Sequence, residues 1–278
     1  MTAEAEAREA ASRFRREHRL GVQPLGDLIA IIEQVTGIDV AVLDAGPDEH
    51  GLTMRDPHHG MVVIGVARTD KPMRQRSSLA HELGHVTFGD WASIDRGAMS
   101  ARSPQEVRAD AFARHLLVPV DGVRELLGSR TEVGLSSLSA VVQRFLVSPA
   151  VASIALCDAG YIDAVAKKEW MALTTPQVAA RFGWSDHYRA LQADSLQRRA
   201  PQRLLERAIN GYVAGVLSAQ VIATLRGVSV DEVESEFALA GITPSPSQVA
   251  WSSAADLPDV DVDLSDLDED GGPDRAHG

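Results

Sequence analysis

The chain has 278 residues, of which 45% are hydrophobic, which is enough for one medium domain and a smaller one. Its single cysteine, Cys157, excludes an internal disulfide framework. The N-terminus is acidic rather than a signal peptide, and no apolar run reaches the roughly 20 residues that a membrane helix needs. We therefore expect a cytoplasmic protein with no membrane partner.

The net charge of −12 is concentrated at the C-terminus. Between residues 256 and 278, nine acidic residues and one arginine together carry −8 of that charge. A segment so acidic and so poor in aromatic residues is predicted to be disordered, and we expect a disordered acidic tail at residues 244–278. The tail is either a solubilising segment or a mimic of nucleic acid that attracts a basic DNA-binding partner.

The first part of the chain predicts two helices and then strands. A charged helix is expected over residues 3–19, and an amphipathic helix over residues 25–35 that ends at Gly37. Strands are expected at 38–43, 52–55 and 61–66. The last of these is apolar and β-branched, and it is a candidate edge for pairing with an extended substrate, although a buried strand would give the same pattern.

A predicted helix over residues 74–88 carries the run His81-Glu82-Leu83-Gly84-His85, which reads H-E-x-x-H. Two histidines four residues apart lie on one face of a helix, so both imidazoles can bind one metal ion. Glu82 would border the open coordination position and act as general base. Because Gly84 has no side chain, another backbone or a substrate can come close to this helix. The motif alone also arises by chance, so its context matters.

A second helix is predicted to begin at Ser103, with Pro104 at its first position. Glu106 follows His85 by twenty-one residues and is a candidate third ligand. Asp110 lies one turn later on the same face, where it can accept a hydrogen bond from the far ring nitrogen of a ligand histidine. Alternatively, both carboxylates form a solvated face with the arginines of this helix. Two imidazoles and a carboxylate suit zinc (Zn2+), with manganese (Mn2+) second.

Together, the runs 76–85 and 106–119 resemble the ImmA/IrrE family of metallo-endopeptidases, over roughly residues 20–160. The resemblance implies zinc bound by His81, His85 and Glu106, with Glu82 as the general base. It also implies a substrate, a helix-turn-helix (XRE-type) repressor or antitoxin, whose cleavage switches on phage, mobile-element or stress-response genes. Many relatives have asparagine in place of Asp110, and the added charge leaves the sign of its effect on the rate open.

The predicted fold class is α+β. An N-terminal helix (1–20) precedes a zincin-like metallopeptidase domain (21–170), with a small mixed or antiparallel sheet packed on helices. Within it, helices are expected over 120–127 and 135–145. Residues 152–157 look like a strand, although Ser148-Pro149 could instead begin a third helix. Tyr161, His187 and Tyr188 are candidates for the oxyanion donor by residue type only.

A helical appendage is predicted at residues 175–243, where two short helices joined near Gly227 look like a helix-turn-helix. This suggests a second hypothesis, a non-proteolytic zinc-containing regulator that acts by binding protein or DNA. The charge of the second short helix disfavours direct nucleic-acid binding, because its acidic side chains would repel phosphates. These side chains are Asp231, Glu232, Glu234 and Glu236.

Overall fold

The computed structural model describes residues 2–45, 51–90 and 103–245, so most of the predicted acidic tail lies outside the described residues. The chain forms many helices around a small sheet, which confirms the α+β class. The elements, in chain order, are α1 Ala3–Glu17, α2 Leu28–Thr36, β1 Asp39–Leu43, β2 Gly51–Arg55, β3 Val62–Ala67, α3 Pro72–Phe88, α4 Pro104–Leu117, α5 Val120–Leu127, α6 Leu135–Phe145, α7 Pro149–Asp158, α8 Ala164–Met171, α9 Thr175–Arg181, α10 Ser185–Ser195, α11 Gln202–Val213, α12 Ala219–Arg226 and α13 Val230–Ala240.

The sheet is mixed and has the order β1-β3-β2, with β1 parallel and β2 antiparallel to β3. The central strand β3 buries Ile64 and Val66, whereas β2 exposes Leu52 and Met54. Of the two interpretations of the strand at 61–66, the buried strand is the one that the structure shows, because β3 is paired on both sides. An apolar pattern predicts a strand but not the order of strands in a sheet. The two edge positions of the sheet belong to β1 and β2, and β1 makes an isolated bridge from Val42 to Arg199.

The predicted N-terminal helix shares the core of the helices that follow it. Thr2 begins α1 by accepting a hydrogen bond from the backbone N–H of Ala5. The small residues Ala7 and Ala11, together with Phe14, are buried where α1 packs on α4. The side chains that hold α1 in place therefore also fix the position of α4.

The prediction of a strand at 152–157 is wrong, because this segment lies inside α7, and the alternative of a helix that begins at Ser148-Pro149 is confirmed. The Ser148 side chain accepts the backbone N–H of Val151, and Pro149 occupies the first turn, so these two residues start a helix. A short apolar run without clear periodicity does not distinguish a buried strand from a buried helix. Cys157 lies in the last turn of this helix and is partly buried.

The buried side chains of the described residues form a large and a small cluster. The large one extends from α1 to α10 and includes Val178, Trp184 and Tyr188. The small one joins α11, α12 and α13 through residues such as Ile222 and Phe237. The packing of buried side chains therefore changes between α10 and α11, and the domain boundary near residue 175 stays a prediction. The helix-turn-helix assignment of α12 and α13 stays a prediction.

Within residues 2–45, 51–90 and 103–245, no single helix is long and apolar enough to cross a membrane. Only α6 and α7 taken together meet the length and composition criteria, and the chain bends by 108° between them.

Candidate metal centre

Helix α3 places His81 and His85 side by side. Pro72 occupies its first turn, where a missing N–H costs nothing, and Gly89 ends the helix in the left-handed conformation at φ 69°. The two imidazole rings have centroids 4.7 Å apart, and their Nε2 atoms are 3.0 Å apart. Both nitrogens are thus directed toward the same point.

Helix α4 brings Glu106 to that point. The Ser103 side chain accepts the backbone N–H of Glu106 at 3.3 Å and so fixes the first turn of the helix. Glu106 Oε2 lies 3.1 Å from His81 Nε2, and its Oε1 lies 3.3 Å from His85 Nε2. The carboxylate therefore faces the two histidines rather than the arginines of its own helix, and these three side chains can together hold a metal ion.

Gly84 allows the two helices to come this close. A Cβ atom at position 84 would lie 3.2 Å from the Ala109 Cα and 3.2 Å from a ring carbon of Phe112. Ala109 and Phe112 belong to α4 and are fully buried. A glycine inside a helix costs about 1 kcal/mol relative to alanine, and here the close contact of α3 with α4 gives it a steric reason. The backbone that approaches Gly84 is that of α4.

The three side chains fit a metal ion. Around a tetrahedral zinc ion with bonds of about 2.0–2.2 Å, ligand atoms lie about 3.4 Å from one another. The observed separations of 3.0, 3.1 and 3.3 Å are close to that value. Two imidazole nitrogens and one carboxylate oxygen also leave a fourth position for water or substrate, as catalytic sites require.

Asp110 supports His81 from the far side of its ring. Its Oδ1 atom lies 2.9 Å from His81 Nδ1, so a proton on Nδ1 leaves Nε2 free to bind a metal. Burial of the imidazole lowers the pKa of His81. The hydrogen bond and charge of Asp110, with the charges of Glu106 and Glu82, more than compensate and raise the pKa above its usual value. Asp110 therefore lies beside the far ring nitrogen of a candidate ligand histidine, as its spacing of one turn from Glu106 predicted.

His85 has a weaker support, which the sequence analysis missed. Asp90 Oδ2 lies 3.9 Å from His85 Nδ1, too far for a hydrogen bond but close enough for charge attraction. Arg108 holds Asp90 in place with two bonds of 2.9 Å, donates a further bond of 2.8 Å to Glu6, and lies 4.2 Å from the centre of the Phe88 ring. The sequence signal that could have indicated Asp90 is its position directly after the glycine that ends α3.

Glu82 points toward the edge strand β2. The Thr53 hydroxyl donates a hydrogen bond of 2.7 Å to Glu82 Oε2. The neighbouring inward position of β2 is Gly51, where a Cβ atom would lie 2.7 Å from Glu82 Oε1. Thr53 therefore fixes one carboxylate oxygen, while Gly51 keeps space beside the other. Neither residue can be found from the sequence, because their proximity to Glu82 depends on how the sheet packs on α3.

The other candidates have different surroundings. The Tyr161 hydroxyl donates a hydrogen bond to the Gly128 carbonyl at 2.6 Å, and Tyr188 is buried in the large core. The His187 ring lies 6.5 Å from that of Trp184. The assignment of an oxyanion donor stays a prediction, as do the roles of Glu82 and Asp110.

Residues 33–156 match the family model Peptidase_M78, described as the IrrE N-terminal-like domain, and this match indicates the class of metallopeptidases. This match supports the resemblance of the chain to the ImmA/IrrE family over residues 33–156. The matched segment contains α3 and α4 and therefore every side chain of the candidate metal centre. No curated protein matches the chain.

Proposed function

We propose that the protein is a zinc-dependent endopeptidase that cleaves a helix-turn-helix repressor or antitoxin and so relieves repression of phage, mobile-element or stress-response genes. His81, His85 and Glu106 hold the zinc ion, and Glu82 is the general base. The observation that carries the proposal is the convergence of His81, His85 and Glu106. The two Nε2 atoms lie 3.0 Å apart, and each lies 3.1 to 3.3 Å from one of the two Glu106 carboxylate oxygens.

The side chains around the cluster have separate tasks in this reaction. Zinc, when bound, polarises the scissile carbonyl and makes the attacking water more acidic. Glu82 accepts the proton of that water and later gives it to the leaving nitrogen. Thr53 restrains one oxygen of Glu82, so the other oxygen is the one that handles the proton. Asp110 keeps His81 in the tautomer that binds metal.

The edge strand β2 gives the substrate a place to bind. Among the described residues, no further strand pairs with the outer edge of β2, and the Leu52 and Met54 side chains of this strand are about half exposed, at 53% and 50%. An extended peptide that adds to this edge would pass close to Glu82, since Thr53 of the same strand contacts the Glu82 carboxylate. This supports cleavage of a flexible, extended segment rather than of a folded helix.

The substrate class is supported by family and by charge. Members of the ImmA/IrrE family are expected to act on DNA-binding regulators, and such regulators carry basic surfaces. A chain with a net charge of −12 attracts a basic partner over a distance.

A cleavage assay tests the proposal. Purified protein, as wild type and as Glu82→Gln, is incubated with the helix-turn-helix regulator encoded beside it, with zinc and with a chelator. Cleavage by the wild type only, and only with metal, is the expected result, and the loss in Glu82→Gln should be about 10²- to 10⁴-fold. A stable complex with stoichiometric zinc but no cleavage would overturn the proposal and favour a regulator that acts by binding.

A further inference from the structure

A second feature lies beside the metal centre, along the N-terminal half of α3. It is a cleft of about 600 Å³, bounded by α3, the start of α7, the segment between α8 and α9, and α10. Ligand pockets in proteins measure about 300–1,000 Å³, so this volume is sufficient for a large side chain and its neighbours.

The cleft adjoins the metal centre because both use the same face of α3. Arg74 and Ser77 line the cleft. In a helix, each residue is rotated by about 100° about the axis and shifted by about 1.5 Å along it relative to the residue before. Positions 74, 77 and 81 therefore point within about 60° of one another, and Ser77 lies about 6 Å along the axis from His81. An extended peptide advances about 3.3 Å per residue, so the cleft lies about two or three residues from the bond cleaved at the metal.

The walls of the cleft are mainly apolar. Met73 and Tyr188 are 3% and 7% exposed, and Leu173 and Val151 pack against the same core. The charged groups that line it, Asp70, Lys71 and Arg74, are all exposed and so lie at its rim. The interior therefore suits an apolar side chain better than a charged one.

We propose that this cleft is a specificity subsite, which binds a large apolar side chain of the substrate two or three residues from the cleaved bond. The inference rests on the proposed endopeptidase function and adds a sequence preference to it. One wall, between residues 173 and 192, lies beyond the family-matched segment 33–156. The preference is thus set partly by a region outside the domain that carries the metal centre.

Ala150 and Ala180 provide a matched pair of variants. Ala150 lies in α7 and lines the cleft, whereas Ala180 is exposed on α9 and does not line it. In Ala150→Trp the indole fills the cleft, and in Ala180→Trp the same side chain points elsewhere. Each variant and the wild type are loaded with zinc and incubated with a peptide library made by digesting a whole proteome, and cut sites are mapped by mass spectrometry.

For the wild type and for Ala180→Trp, we expect enrichment of large apolar residues at one position, two or three residues from the cut. For Ala150→Trp, this enrichment should fall at least about fivefold, while peptides with glycine or alanine at that position are still cut. An Ala150→Trp profile equal to that of the wild type would overturn the subsite and leave the endopeptidase proposal intact. If the wild type shows no zinc-dependent cleavage beyond that of Glu82→Gln, both the subsite and the endopeptidase proposal are overturned.

A second variant covers the case in which Ala150→Trp does not fold, which its thermal unfolding curve would reveal. Leu173→Ala enlarges the cleft instead of filling it. The preference for the largest side chains, such as tryptophan over leucine, should then increase at least about threefold. An unchanged ratio would contradict the assignment of this cleft.

Discussion

The α3–α4 crossing and the C-terminal helices α11–α13 differ in how tightly they are packed. At the crossing, Gly84 lets two helices touch, and the surrounding core is shared by helices from α1 to α10. The C-terminal helices share a small cluster, and they leave Val216 77% and Leu239 92% exposed. A metal site needs side chains held in one geometry, so the tightly packed region is the one that can carry chemistry.

The largest expected effect in this comparison comes from removing a ligand at the crossing. His81→Ala leaves two of three ligands and should abolish stoichiometric zinc binding, with loss of all zinc-dependent activity. His58→Ala is the matched control, since His58 lies on an exposed turn before β3. Metal content after dialysis measures both. Retained zinc in His81→Ala would contradict the assigned ligand set.

A smaller effect is expected from the residue that supports His81. Asp110→Ala removes the partner of His81 Nδ1 and should weaken zinc binding about 10- to 100-fold. Asp110→Asn keeps an acceptor oxygen and should lose less. Competition with a zinc chelator gives the two dissociation constants. Equal affinity of Asp110→Ala and the wild type would show that the hydrogen bond does not orient the ligand.

Two glycine-to-alanine substitutions, one at the α3–α4 crossing and one in the C-terminal helices, compare how tightly the two regions are packed. A Cβ in Gly84→Ala would meet the backbone of α4, so overpacking of about 1–3 kcal/mol should exceed the gain of about 1 kcal/mol in helix propensity. In Gly211→Ala, the Cβ would meet only the side chain of Leu217, which can move. Gly84→Ala should therefore unfold at lower denaturant and bind zinc more weakly, and Gly211→Ala should do neither. Matching denaturation midpoints would mean that α3 and α4 are not closely packed.

The smallest expected difference is between the stability losses caused by replacing two arginines, one near the crossing and one in the C-terminal helices. Arg108 binds both Asp90 and Glu6 in a partly buried position, and Arg108→Ala should cost about 2 kcal/mol of stability. Arg226 binds Glu236, a residue of α13 whose side chain is 54% exposed. Arg226→Ala should therefore lower the free energy of unfolding by less than about 0.5 kcal/mol. Urea denaturation measures both. A larger loss for Arg226→Ala would reverse the comparison between the two regions.

Local sequence signals were sufficient for the main elements of the site. One signal is the pair of histidines four residues apart on α3. The other is the start of α4, where a serine and a proline precede a glutamate in the first turn. The positions of these signals in a helix follow from its periodicity alone. For this reason the sequence predicted that His81 and His85 share one face of α3, whereas the resemblance to the ImmA/IrrE family implied that Glu106 joins them.

Long-range packing was beyond the sequence. Thr53 reaches Glu82 across twenty-nine positions of the chain, and Arg108 reaches Glu6 across one hundred and two. Whether the strand at 61–66 lies at an edge or at the centre of the sheet was open for a similar reason, since strand order depends on contacts between distant segments. The error at α7 has a different cause, because its small apolar residues lack the periodicity that separates a helix from a strand.

The central claim is that α3 and α4 together form a three-ligand metal centre. The most direct test is X-ray absorption at the zinc edge of the full-length protein, combined with its metal content. We predict one zinc ion per chain, coordinated by two imidazole nitrogens and one or more oxygens, with the same spectrum in Glu82→Gln. Less than one ion in ten chains after zinc loading, or a spectrum without imidazole, would contradict the account.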